Sequence, residues 1–144
     1  MTDKCTVDLE TIQPGQQVAW LDHGHYEGTR VTLGTVARLT PTQIVVDVPG
    51  ARLPYRFHRT DGKLLKSYGV YLKNPLDGDV VNARAARRAR QVIGDLERGV
   101  RGRKIRDAID AVAFLDAIQD VVDTARNEVR TMLTRLDATT TETP

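Results

Sequence analysis

Residues 79–136 read DVVNARAARRARQVIGDLERGVRGRKIRDAIDAVAFLDAIQDVVDTARNEVRTMLTRL, and two periodicities inside this stretch decide the fold of the C-terminal half. In its first part, Ala85, Ala89, Val92, Ile93, Leu96 and Val100 recur at the spacing of one helical face. Arg84, Arg87, Arg88, Gln91 and Arg98 fall on the opposite side, with Arg90 on the flank. Asp79 follows the Asp77-Gly78 turn as a candidate N-cap, and Gly99 and Gly102 mark the other end, so the spacing predicts a helix from about Val80 to Arg98.

Beyond that glycine-broken turn the period changes to seven. Ala108, Leu115, Val122, Val129 and Leu136 recur every seventh residue, and Ala111, Ile118, Ala125 and Met132 follow the first four by three. These are the a and d positions of a heptad repeat, which predicts a second helix from about Arg103 to Leu136, about 50 Å long. A helix of that length outreaches a small domain, so its apolar stripe needs cover. The first helix can fold back on it as an antiparallel hairpin, but it is shorter, and Phe114, Val121 and Leu133 widen the stripe. Self-association through Leu115, Ile118, Val122, Val129, Met132 and Leu136 is therefore the leading expectation, giving a homo-oligomer, in its simplest form a dimer. The alanines at Ala108, Ala111 and Ala125 bury little area and fit an intramolecular hairpin instead.

Upstream, from Gln16 to Asn74, the pattern is short β-rich runs between turn residues. The runs are Gln17–Leu21, Arg30–Leu39, Gln43–Val48, Leu53–His58 and Val70–Leu72, with Lys63–Lys66 as a further short candidate. Pro14-Gly15, His23-Gly24, Glu27-Gly28, Pro49-Gly50 and Asp61-Gly62 supply the turns. Alternation puts Val18 with Trp20, Val31 with Leu33, and Leu53 with Tyr55 and Phe57 on buried faces, while Arg52, Arg56 and His58 face the other way. A short sheet with a one-sided apolar face must curl to protect its edges, so a small SH3-like β-barrel anchored by Trp20 is expected. The fold class read from the sequence is α+β. Residues 1–15 form an N-terminal arm, 16–78 the small barrel, 79–136 the basic helix and the heptad helix, and 137–144 a Thr-rich disordered tail.

The runs GTVARLTPTQIVVD (34–47) and YRFHRTDGK (55–63) resemble small uncharacterised proteins of actinobacterial phages and their hosts, which pair a strand-rich domain with Arg-rich helices. The resemblance covers about the middle third of the chain and rests on hairpin residues. It implies an intracellular accessory protein and no active-site residues to transfer. The long heptad helix is a departure from that pattern.

Charge is segregated along the chain. Residues 1–78 carry 9 Lys/Arg against 8 Asp/Glu, residues 79–104 carry 8 against 3, and residues 105–144 carry 4 against 8. Arg84, Arg87, Arg88, Arg101, Arg103 and Lys104 are thus candidates for a phosphate-binding ridge, because planar guanidinium donors grip phosphate bidentately. The competing reading is a solvated helix face interrupted by Asp95 and Glu97. No recognition-helix, zinc-finger or aromatic RNA-binding motif accompanies the arginines, so contact indifferent to base sequence is expected.

The remaining chemistry is sparse. Cys5 alone makes neither a disulfide nor a cysteine zinc site and reads as an incidental thiol. His23 and His25 beside Asp22 lack a third metal ligand, and Asp107, Asp110, Asp116, Asp120 and Asp123 are spread around the helix as a solvated face. Neither a phosphate loop nor a nucleophile elbow occurs, so the sequence predicts no enzyme, no cofactor and no metal. No run approaches the roughly 20 apolar residues of a membrane span, and no signal-peptide core is present, so the expected location is the cytoplasm, the host's if the chain is phage-encoded. Two functions remain: a nucleic-acid-associated accessory protein, or an adaptor that binds a host or phage protein through the barrel edge or the heptad helix.

Overall fold

The computed structural model describes the backbone over residues 4–25 and 28–140 and side chains over 4–23 and 29–135. The chain is α+β, with four antiparallel strands followed by two helices: β1 (Gln17–His25), β2 (Gly28–Leu39), β3 (Gln43–Asp47), β4 (Tyr55–His58), α1 (Gly78–Gly102) and α2 (Ala108–Thr140). It divides between Ala83 and Arg84 into two compact units, so the boundary falls inside α1 and not at its start.

In the first unit the strands follow one another as a meander, β1-β2-β3-β4, curled into a small barrel-like sheet. The curl wraps a core in which Val18, Val36, Ile44, Val46, Phe57 and Leu72 are buried. Trp20 anchors it as expected, its ring centroid 5.0 Å from Tyr55 and 5.1 Å from Phe57, separations at which tilted aromatic pairs attract. Leu53 departs from the expected face. At 78% exposure it lies ahead of β4, in the loop that follows the Pro49-Gly50 turn.

Both outer edges of the sheet are paired, and this was not expected in detail. Of the two further strand candidates, neither forms a full strand; each supplies isolated bridges instead. Ala19 and Lys73 exchange backbone hydrogen bonds of 2.9 and 2.7 Å, which covers that part of the β1 edge. On the β4 edge, His58 N–H donates to Lys63 O (2.8 Å) and Leu65 N–H to Arg56 O (2.9 Å). Residues 62–72 then fold on themselves, with Leu64 N–H donating to Val70 O and Leu72 N–H to Gly62 O, both 2.9 Å. Bridge by bridge, this segment spans the gap between the last strand and the first. Where it occurs, such pairing covers edge backbone groups that would otherwise be open to another strand.

The expected N-terminal arm is also corrected. Val7 and Ile12 are buried in the same core, with Cys5 and Leu9 packed against it. Thr6 N–H donates to Leu72 O (3.1 Å), its Oγ1 accepts from Asn74 N–H (3.0 Å), and Gly15 N–H donates to Val36 O (2.7 Å). Cys5, Val7 and Leu9 are spaced by two but Ile12 breaks the spacing, and so short a run ahead of the strand-and-turn pattern defines no element by itself. The hairpin after β1 is displaced as well. β1 runs through His23-Gly24 to His25, so that pair is strand and not turn.

A second, smaller core lies on the other side of β1 and β2, where Ala19, Leu21, Val31 and Val80 are buried and Ala83 packs against them. The buried Lys73 sits there with its Nζ 3.8 Å from Asp79. The cap of α1 is Asp77 and not Asp79: its Oδ1 accepts from Asp79 N–H (3.2 Å) and its carbonyl from Val81 N–H (2.9 Å).

Two substitutions test this packing. Phe57→Ala should cost about 3–5 kcal/mol in urea denaturation, as expected for emptying a core aromatic site. At Gly34 an added Cβ would lie 2.5 Å from Val46 Cγ1 and 3.0 Å from the Asp47 carbonyl, so Gly34→Ala should cost about 1–3 kcal/mol. A Gly34→Ala protein as stable as the parent would show that β2 and β3 do not approach this closely.

Candidate nucleic-acid interface

The second unit is a helical hairpin. α1 continues to Gly102 and does not stop near Arg98. Glycine in a helix costs about 1 kcal/mol relative to alanine but does not forbid the conformation. Here Arg98 pairs with Asp95 and Arg101 with Glu97 across the last turns. α2 starts at Ala108, five residues later than expected, because Asp107 caps it. Its Oδ1 accepts from Asp110 N–H (2.8 Å) and its carbonyl from Ala111 N–H (3.1 Å). The helix also outlasts its expected end, running through 137–140 to Thr140, while 141–144 of the expected tail lie outside the described residues.

Arg88 fixes the pairing of the helices. Its Nε donates to Glu128 Oε2 at 2.8 Å, joining residues 40 positions apart, and with a linker of only 103–107 this requires the helices to run antiparallel. The linker is held by Arg103, whose guanidinium carbon lies 4.7 Å from the centroid of the Phe114 ring.

Of the ridge candidates, Arg84, Arg87 and Lys104 are exposed, and no carboxylate lies within ion-pair distance of them among the described residues. Arg90, set on the flank from sequence, joins them. Arg88 and Arg101 are held by Glu128 and Glu97, and Arg103 covers Phe114. The expected ridge is therefore divided into cations that face solvent and cations already engaged. No periodicity reveals that division, because Glu128 reaches Arg88 only through the hairpin.

Of the candidate association residues, Ile118, Val122, Val129 and Met132 are half-buried along one stripe of α2 with Ala111, Phe114 and Ala125. Leu115 is off that stripe, 63% exposed, and Leu136 has no described side chain. Ile93, Val100, Ile105, Ile109 and Val112 are exposed too, so the hairpin leaves apolar surface around its turn.

No family model matches the chain, and neither does any curated protein or solved structure. The reading of the site therefore rests on its geometry.

Elsewhere, His23 Nδ1 lies 3.1 Å from Thr29 Oγ1, and the His25 side chain is outside the described residues. Among the described residues no three His, Cys, Asp or Glu side chains stand close enough to hold a metal ion, and no helix is long and apolar enough to cross a membrane. Burial pushes the Cys5 thiol above its ordinary value, which leaves it the neutral, poorly nucleophilic form.

Arg88 also holds the Glu128 carboxyl below the usual carboxylate range, through its hydrogen bond first and its charge second. A lowered folded-state value means that the pair stabilises the hairpin above the ordinary carboxylate range and loses that effect as pH falls through the lowered value. Glu128→Gln should thus lower the thermal midpoint at neutral pH, with parent and variant converging in strong acid. An equal gap at both pH values would show that the pair does not hold the helices together.

Proposed function

We propose that this chain is a non-enzymatic accessory protein that holds the phosphate backbone of nucleic acid and associates with itself through its helical hairpin. The observation that carries the first part is the outward face of α1. Arg84, Arg87 and Arg90 are exposed and, among the described residues, have no carboxylate within ion-pair distance, in a segment whose cations outnumber its anions by 8 to 3. Arginines left unpaired on a helix face supply the counterion release on which backbone binding depends. The phage resemblance fits such a role and adds no residue to it.

The adaptor reading draws less support from the sheet edges, because Ala19 of β1 and Arg56 and His58 of β4 are already bonded to Lys73, Leu65 and Lys63. What remains for a protein contact is the apolar surface near the hairpin turn, which supports self-association through Ile109, Val112 and Leu115 rather than through the half-buried Val122 and Val129.

The test is size-exclusion chromatography with light scattering, alone and with mixed-sequence nucleic acid at low and physiological salt. Co-elution that is lost as salt rises, and that Arg84→Glu with Arg87→Glu abolishes, is the expected result. Retention of the complex by that double variant would remove α1 as the contact. For self-association, Val112→Ser with Leu115→Ser should convert a dimer to a monomer, and a parent that is already monomeric would end that part of the reading.

A further inference from the structure

The side of the curled sheet that points away from the Trp20 and Phe57 core carries a second basic surface, which α1 does not explain. In the strand register Arg38 stands opposite Val45, and Val45 opposite Arg56, so two arginines flank one apolar residue across β2, β3 and β4. The neighbouring row runs from Gln43 to His58 in β4, then to Lys63 and on to Tyr71. Side chains alternate along each segment. Because Ile44, Phe57, Leu64 and Leu72 belong to the core, Arg38, Arg56, His58, Lys63 and Tyr71 share the outward side. Adjacent backbones in a sheet lie about 4.8 Å apart, which puts Arg38 and Arg56 about 10 Å from each other.

Three details make this more than an ordinary solvated face. Val45 is only 3% exposed although it belongs to neither core, as expected if the arginine stems beside it shield it while their heads stay in water. None of Arg38, Arg56 and Lys63 has a carboxylate within ion-pair distance among the described residues. Asp61 turns its carboxylate to the Lys63 backbone N–H at 3.0 Å, and Asp47, two residues along β3 from Val45, stands in the next row, opposite Thr35. The third detail is aromatic. Tyr71 is half-exposed in line with Lys63 and His58, and Tyr68, near the tip of the 62–72 fold, is 98% exposed.

We propose that this sheet face binds single-stranded nucleic acid, with phosphates held by Arg38, Arg56 and Lys63 and unpaired bases stacked on Tyr71 and Tyr68. Charge complementarity selects a polyanion, and Tyr71 in line with the cations, with the exposed Tyr68 three residues before it in the same fold, selects one whose bases are open, since stacking is sequence-tolerant and needs an exposed base face. A duplex would use the cations but leave the tyrosines idle. The proposal deepens the reading of nucleic-acid association and rests on it for the class of ligand, while placing the contact on a different unit from Arg84, Arg87 and Arg90.

Fluorescence anisotropy with an oligothymidylate of about 15 nucleotides, and with a duplex of the same length, tests it on the full chain. The parent should favour the single strand. Arg38→Gln with Arg56→Gln should weaken that binding and lower the salt dependence by about 0.7 for each cation removed. Tyr68→Ala, at a position too exposed to affect folding, should weaken single-strand binding roughly tenfold and leave the duplex unchanged. Circular dichroism confirms that each variant is folded. If the barrel variants bind like the parent while Arg84→Glu with Arg87→Glu does not, this proposal fails and the α1 reading stands. If the reverse holds, the barrel is the site and α1 is not. Equal affinity for strand and duplex, unmoved by Tyr68→Ala, overturns single-strand selection, and no binding in any arm overturns both readings.

Discussion

A four-stranded antiparallel sheet has two edges, and residues 62–73 bridge from one to the other, bonding to Arg56 and His58 of β4 and to Ala19 of β1, a constraint on which much of the rest of this structure depends. Gly62 and Gly69 take positive φ of 69° and 72°, and Lys66 takes 60°, a conformation that costs a side chain-bearing residue but lets the segment fold back within a few positions. The return places Val70 and Leu72 in the core under the curl. It also delivers Lys73 to the edge of β1, beside Asp79 in the first turn of α1. With alternate side chains committed inward, their neighbours Arg56, His58, Lys63 and Tyr71 are left facing outward.

Electrostatics then sort the cations into two populations. Arg88, Arg98 and Arg101 are each within reach of a carboxylate, and what they do is hold helices and helix ends. Their pairs are at least partly solvent-exposed, so each contributes modestly and is screened by salt. Among the described residues, Arg38, Arg56, Lys63, Arg84, Arg87 and Arg90 have no such partner, which on the proposed reading leaves their charge available to an anion. A net charge of +2 conceals this, since paired and unpaired cations count alike in a sum. The same holds for the apolar residues of α2, where the heptad positions Ala111, Ile118, Val122, Ala125, Val129 and Met132 are half-buried while Leu115, another heptad position, is exposed with Ile109 and Val112.

Much of the architecture is legible in the sequence, for identifiable reasons. Alternation at Val18 and Trp20, turns at Pro49-Gly50 and Asp61-Gly62, and the 3.6-residue stripes of the two helices each reflect a local rule. The packed segment from Cys5 to Ile12 alternates only over Cys5, Val7 and Leu9 before Ile12 falls out of step, too short a signal to define an element, so its place in the core is a tertiary outcome. Helix ends were misplaced where local signals compete: Gly99 and Gly102 argue for a break, yet carboxylate pairs support the turns around them, and Asp77 and Asp107 outcompete neighbouring candidates as caps. For the candidate site, the composition of α1 exposed its arginines at once, whereas Arg38 and Arg56 become neighbours of Val45 only through a register that includes a bulge between Val36 and Arg38.

On the proposed reading, cations without a carboxylate partner, and not cations in general, define where an anionic ligand sits. Arginine side-chain Nε–H resonances, followed by NMR as an oligonucleotide is added at low salt, report on each guanidinium separately. The account expects Arg84, Arg87, Arg38 and Arg56 to shift while Arg88, Arg98 and Arg101 remain with their carboxylates. Uniform shifts across all arginines, or shifts led by Arg88 and Arg101, would contradict it.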